Sequence, residues 1–298
     1  MAVLVGTENG LYELDRRPRV LVEGHAITHL VRGSDGWWAL IDGATIWHAR
    51  DGEWKQVGTI DGPRATCLFP WTAGLLLGTV GAHLLRFQGR TVEQVVSFET
   101  VQGRQQWYTP WGGPPDTRSI AEDATGTTYV NVHVGGIVRS SNGGRTWEPT
   151  IDIETDVHQV LSTSAHPGWV FAASAQGLAS SVDRGTSWKL RTDGLHATYQ
   201  RAVAVCEDIV LVSASSGPRG QRAALYRAPF KEEKPFERCR GGLPDWFSGN
   251  IDTFCLAASG QRAGFGTSDG HVFISTDQGR SWELAASNLA PVRCLAMG

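Results

Sequence analysis

The sequence predicts an all-β chain folded as a seven-bladed β-propeller of four-stranded antiparallel blades, with six blades as the fallback count. Three observations carry this. An eight-residue phrase, Ser-x-Asp/Asn-x-Gly-x-Ser/Thr-Trp, occurs at 140–147, 181–188 and 275–282. Its Asp or Asn can bond back to the turn's own amides, its Gly can take positive φ, and the apolar residues on either side alternate, so each copy reads as a hairpin turn between strands. The spacing is the second observation: Trp147 and Trp188 lie 41 residues apart and Trp188 and Trp282 lie 94 apart, one and about two repeats of a blade-sized unit. The third is length, since 298 residues shared among seven blades is about 43 each, within the roughly 40–45 of a four-stranded blade.

Taken in order, seven inner strands align, each after a polar or Pro/Gly-rich loop. They begin at Ile27, Ala65, Thr117, Val157, Gln200, Ile251 and Val292. The blades are then 27–64, 65–116, 117–156, 157–200, 201–250 and 251–291, with a seventh made of 292–298 and 1–26, all in one domain spanning 1–298. Residues Ala2–Gly6, Leu11–Leu14 and Arg19–Val22 read as three strands with no inner partner. The C-terminal strand supplies it and closes the ring, which removes the two free edges of an open array. The repeated phrase falls between the third and fourth strands of blades three, four and six, and its Trp can wedge between neighbouring sheets. Degenerate hairpins such as Arg50–Trp54 and Phe230–Lys234 take its place elsewhere.

Composition narrows the partners. A formal net charge of −3 without any Lys/Arg run argues against nucleic acid, and no apolar stretch is long enough to cross a bilayer. The strand pattern begins at Met1–Gly6, with no basic and apolar leader, so a cytoplasmic location is expected. Five Cys is an odd number. Cys67, Cys206, Cys255 and Cys294 lie in apolar runs as buried thiols do, whereas Cys239, between Arg238 and Arg240, is the one placed for activation by cations.

The repeated phrase resembles the Asp box, or BNR repeat, of sialidase-like β-propellers, and the stretch from Trp111 to Asp252 is similar to bacterial proteins labelled only as sialidase-like or BNR-repeat proteins. In an up-and-down blade the Asp boxes occupy one face of the disc, and inter-blade connections and second-to-third-strand turns occupy the other. The long polar and aromatic segments, 105–116, 131–136, 152–158, 193–201, 213–222 and 241–252, are of the second kind. A site at the channel mouth opposite the Asp boxes is therefore expected.

Several groups of residues converge there. The second residues of the aligned inner strands are Thr28, Thr66, Arg118, His158, Arg201, Asp252 and Arg293. Arg118, Arg201 and Arg293 suit a small anionic ligand, since each guanidinium offers a planar fork of donors; alternatively they pair with Asp252, Asp116 and Glu122 to seal the pore. His133, His158 and His196 lie on adjoining blades of this face. They can hold one transition metal, zinc, copper or iron, or serve as general acids and bases. Trp107, Tyr108, Trp111, Trp246 and Phe247 suit a sugar or flat organic ligand, or anchor their loops; Trp111 and Trp246 are the substrate-binding candidates. Among the carboxylates Asp116, Asp152, Glu154, Asp156, Asp245 and Asp252, a glycosidase needs a pair at defined separation, and Asp156 and Asp252 are the catalytic candidates.

The sialidase resemblance implies three arginines gripping a substrate carboxylate, a Tyr–Glu pair and an Asp; the matching residue types are Arg118, Arg201, Arg293 and Tyr199. The chain lacks an Arg-Ile-Pro segment near its N-terminus and has seven blades where those enzymes have six. Three functions follow: an enzyme acting on a small anionic substrate, metal-dependent through the histidines; a sugar-acid glycosidase; and a non-catalytic scaffold that binds a protein partner on its loop face.

Overall fold

Burial is greatest in the second strands of the blades and least in the fourth, and the residue pattern follows it. Second strands are packed between neighbouring sheets on both faces, so Thr128–Val132 and Val170–Ser174 are continuous buried runs. Fourth strands such as Glu53–Thr59 and Lys189–Arg191 face solvent and are largely polar. The computed structural model describes residues 2–15, 17–72 and 74–298. It contains seven four-stranded antiparallel sheets. Ring closure follows the sequence reading: Val292–Met297 pairs with Val3–Thr7, which continues through Gly10–Leu14 to Pro18–Glu23. Among the described residues no helix is long and apolar enough to cross a membrane.

One irregularity recurs and positions the site. In blades one to four and in blade seven, the pairing of the inner strand skips its second residue: it steps from Ile27 to His29, Ala65 to Cys67, Thr117 to Ser119, Val157 to Gln159, and Val292 to Cys294. The skipped residues are Thr28, Thr66, Arg118, His158 and Arg293. A β-bulge frees its extra residue from the ladder and re-aims the side chain, here at the channel mouth for Thr28, Thr66, Arg118 and Arg293 and into the wall behind it for His158.

Blades five and six depart from the expected alignment. Their inner strands are Val203–Cys206 and Leu256–Ser259, starting after Gln200 and Ile251. The five residues 251–255 form a crossing segment instead, described below. A second departure is the helix Val96–Glu99 in the long connection after blade two, followed by a 3₁₀ turn at Arg104–Gln106. Glu99 ties the region together, accepting from Arg104 at 2.7 Å and lying 2.9 Å from His83 Nδ1.

The Asp boxes hold hairpins as their chemistry requires. Asp277 accepts from the amides of Arg280 and Ser281 at 3.0 and 2.9 Å and from the hydroxyls of Ser275 and Ser281 at 2.8 and 2.6 Å. Gly279 takes φ +80°, and Trp282 is buried with its indole N–H on the Gly279 carbonyl. Hydrogen bonds led by Ser187 lower the Asp183 carboxyl to about 2; at Asp277 partial burial works the other way, but the Ser281 and Ser275 bonds prevail and hold it at about 2.

Both folded values lie below the roughly 3.9 of an unfolded Asp, so this stabilisation is complete above that pH and is lost as pH falls toward 2. Asn142 fills the same role in blade three, accepting from the Arg145 and Thr146 amides. Asp277→Asn is therefore expected to stay folded at pH 7 and to lose less stability on acidification to pH 3 than the parent, whereas Asp277→Ala loses about 1–2 kcal/mol at pH 7. Urea unfolding at the two pH values checks both, and an unchanged acid response in Asp277→Asn would refute the assignment.

All five cysteines are free and buried. The expectation for Cys239 is corrected: burial pushes its thiol up to about 12, because the side chain sits in the apolar cluster with Leu211, Leu225 and Trp282, while Arg238 turns away to stack on Trp246.

Candidate active site at the channel mouth

On the face opposite the Asp boxes the channel widens into a cup of about 890 Å³. The bulge residues Thr28, Thr66, Arg118 and Arg293 line it, together with Arg201 and Asp252. The crossing segment 251–255 lies across it. Phe254 comes from blade six, yet its ring stacks on His29 of blade one at 3.7 Å and packs against the apolar clusters of blades two and three and of blades seven and one. Contacts converging from around the ring place this side chain on the axis. Its φ of +66° is one a bulky residue rarely adopts. His29 beneath it is buried, which drives its pKa down to about 3; its Nδ1 accepts from the Leu68 amide at 3.1 Å.

Two guanidiniums share one carboxylate at the rim. Arg201 Nη1 donates to Asp252 Oδ2 at 2.9 Å and Nη2 to the Tyr199 hydroxyl at 3.3 Å, while Arg118 Nη2 stands 3.8 Å from Asp252 Oδ1, beyond hydrogen-bond reach. Burial disfavours the Asp252 charge, but Arg201 and Arg118 outweigh it and hold the carboxyl below its ordinary value. Arg293 ion-pairs with Glu8. The sealing pairs considered from sequence are thus met only in part: Asp252 serves two arginines, Arg293 uses Glu8, and Glu122 bonds Thr128. The lining carries four guanidiniums, Arg64, Arg118, Arg201 and Arg293, against three carboxylates, Glu8, Asp116 and Asp252. Burial shifts Asp116 upward, toward its neutral form.

Beside the arginines lies a His–Asp–His group. His133 Nε2 is 3.1 Å from Asp156 Oδ1 and His158 Nε2 is 3.7 Å from Asp156 Oδ2, with the two imidazoles 5.2 Å apart between centroids. His158 is fully buried, and burial, then Arg118, lowers its pKa to about 3. Burial also works against the Asp156 charge, yet His133, His158 and Arg118 hold that carboxyl below its usual range. Trp111 covers the group, exposed at 66%, with its ring 5.1 Å from His133. The Tyr199 ring closes the other side, 4.8 Å from His158.

Among the sequence candidates, Arg118, Arg201, Arg293, Asp252, Tyr199, Trp111 and His133 line one cup, with Asp156 and His158 behind His133. His196 is the correction to the histidine trio. Its ring packs on Tyr226 and Trp246 and its Nδ1 lies 2.8 Å from the Tyr226 hydroxyl, so Asp156 completes the group in its place. Trp246 likewise stands away from the cup, held between Arg238 and Arg222 at 3.8 and 4.5 Å from the ring centre. Trp107 anchors its loop against Arg104, and Tyr108 bonds Glu154. The sequence reading missed Phe254, Glu8 and Arg64. A second cleft, of about 520 Å³, lies between the outer strands of blades four and five, but its cations are already engaged: Lys189 with Glu233, Lys234 with Glu232, Lys231 with Asp208, and Arg191 with the Pro229 and Lys234 carbonyls.

In sequence, residues 273–284 match the BNR/Asp-box repeat family. No curated protein matches the chain. Several solved structures share the fold. An ancestral GH74 enzyme aligns at 13% identity over 98% of this chain and 39% of its own, with a TM-score of 0.63. The GH74 enzyme of Niastella koreensis aligns at 12% identity over 96% and 47%, with a TM-score of 0.61. YCF48 from Cyanidioschyzon merolae aligns at 13% identity over 92% of both chains, with a TM-score of 0.61. This chain spans less than half the length of either GH74 enzyme. At these identities the likeness is one of fold: this is a seven-bladed β-propeller that carries a BNR/Asp-box repeat at 273–284.

Proposed function

We propose that the protein is an enzyme that binds a small anionic substrate, a carboxylate or phosphate, in the channel-mouth cup between Arg118, Arg201 and Arg293. The observation that carries this reading is the shared Asp252: two guanidiniums face one carboxylate, and Arg118 has no hydrogen bond to it. A bound anion supplies the missing acceptor. Asp252, locked by its ion pairs, positions the arginines; the reacting end of the substrate lies beside His133 and Tyr199, with Asp156 3.1 Å from His133 and the fully buried, neutral His158 behind it. The propeller enzymes that share the fold are consistent with a catalytic role. A YCF48 propeller was solved bound to a D1 peptide, so a peptide is the competing kind of ligand.

Calorimetric titration with N-acetylneuraminic acid and with inorganic phosphate tests the reading. Binding of at least one is expected, weakened about 10–100-fold by Arg201→Ala, the worth of one charge-assisted hydrogen-bonded contact. Hydrolysis of a fluorogenic sialoside, lost in the same variant, would single out the glycosidase form. Absence of binding by both anions, or binding that Arg201→Ala leaves unaltered, sinks the proposal.

A further inference from the structure

The His–Asp–His group is more than an acid–base cluster. His158 Nε2 is buried and, among the described residues, has no hydrogen-bond partner, while His133 Nε2 and Asp156 Oδ1, also buried, face each other at 3.1 Å. His133 is 8% exposed and His158 not at all. The tautomer of His158 follows from its other nitrogen: Nδ1 lies 2.5 Å from the Gln200 carbonyl oxygen, which can only accept, so Nδ1 carries the proton and Nε2 presents a lone pair. That lone pair faces the Asp156 carboxylate at 3.7 Å. Two electron-rich atoms aimed at each other in a buried place repel unless something positive lies between them.

The spacing suits a cation. One ligand atom from each of the three residues lies within 4.8 Å of the others, and donors that each stand about 2.0–2.2 Å from a shared ion are separated by about 3–4 Å. The Gln200 carbonyl on His158 Nδ1 is the outer contact that fixes the ring of a metal-ligating histidine. The backbone is held in costly conformations on both sides: Asp156 has φ +52°, and Val134, next to His133, has φ +51°, which a β-branched residue rarely tolerates.

We propose that His133, Asp156 and His158 hold one divalent first-row metal ion, zinc or iron(II), at the wall of the cup. Two imidazoles and one carboxylate leave coordination positions free, as catalytic zinc and non-haem iron sites do. With Trp111 and the cup on that side, the free positions are where water or the anionic substrate of the preceding section binds. This deepens that reading of the cup, and the metal can be tested separately from the anion.

The full chain, purified without a chelating tag and stripped with a chelator, is titrated with zinc and, under anaerobic conditions, with iron(II). Bound metal is read by elemental analysis and by thermal melting. The expected result is about one equivalent of one of the two metals and a raised melting temperature. Affinity should fall about a hundredfold or more in His133→Ala, since loss of even an outer contact lowers it about 10–100-fold. Asp156→Asn, whose side chain keeps the shape and tolerates the same backbone, should weaken binding without unfolding the chain. His196→Ala should retain the metal. Arg201→Ala should keep the metal and lose the anion, which separates failure of one proposal from failure of the other. Less than about a tenth of an equivalent in the parent, or affinity unmoved by both His133→Ala and Asp156→Asn, overturns the metal site.

Discussion

A chain lacking residues 292–298 should fail to form a stable ring, and a peptide of that sequence added in trans should restore it. The segment contributes the inner strand of blade seven, pairing Met297, Ala296, Leu295 and Cys294 with Val3, Leu4, Val5 and Gly6. It buries Val292, Cys294, Leu295 and Ala296, and its Leu295 amide donates to the Phe254 carbonyl at 2.9 Å. Burying Val292 and Leu295 alone is worth about 1.5–3 kcal/mol each. Their loss comes with an exposed inner edge on Val3–Thr7 and uncovers the apolar side of blade six, where Cys255, Leu256 and Phe265 share a cluster with Val292 and Leu295. Against a total stability of about 5–15 kcal/mol for a typical domain, that is a large fraction. Thermal melting by circular dichroism checks it. A truncated protein melting within about 2 °C of the parent, a loss near 1 kcal/mol or less, would show that the seventh blade is closed by something else.

The fold was legible because the Asp box states its geometry locally. A carboxylate or carboxamide, a left-handed Gly and a wedging Trp recur at blade spacing, and each of them is a short-range device. Ring closure was legible too, since three strands without an inner partner at one end and one strand at the other leave few alternatives. The site was legible only in its position on the disc and in part of its membership. Arg118 and Arg293 reach the mouth, and His158 comes to lie behind His133, because a bulge turns each out of its ladder, and pairing shifts leave no trace in a single sequence. His196 lies in a connection of the expected kind, but its loop folds outward onto Tyr226 and Trp246, a tertiary preference that loop length does not reveal. Asp156, two residues before His158, takes its place because a left-handed turn at that position brings the carboxylate back to both imidazoles. The four-residue helix at Val96–Glu99 is too short for a period of 3.6 to register. Residues 251–255 read as strand by alternation, and only the crowded axis explains why they cross it.

That crossing supplies the second large effect. Phe254→Ala should lower stability by about 3 kcal/mol, the low end for loss of a packed Phe because this ring is only partly enclosed, and should also weaken anion binding about tenfold or more. The coupling runs through the backbone. Thr253 donates from its hydroxyl to the Arg201 carbonyl at 3.1 Å, the Cys255 amide bonds the Asp252 carbonyl at 2.9 Å, and Asp252 in turn holds Arg201 and faces Arg118. A floor that loosens therefore moves the carboxylate on which both guanidiniums are set. Phe254→Gly separates the two consequences. Glycine relieves the φ of +66°, a conformation that costs a bulky residue about 1–3 kcal/mol, so part of the stability returns. The ring is still absent from the His29 stack and the segment is freer than before, so binding should not recover. Chemical denaturation and calorimetry on the same two variants decide the point: if Phe254→Gly regains anion affinity along with stability, the ring is only a packing element and Asp252 is positioned by its ion pairs alone.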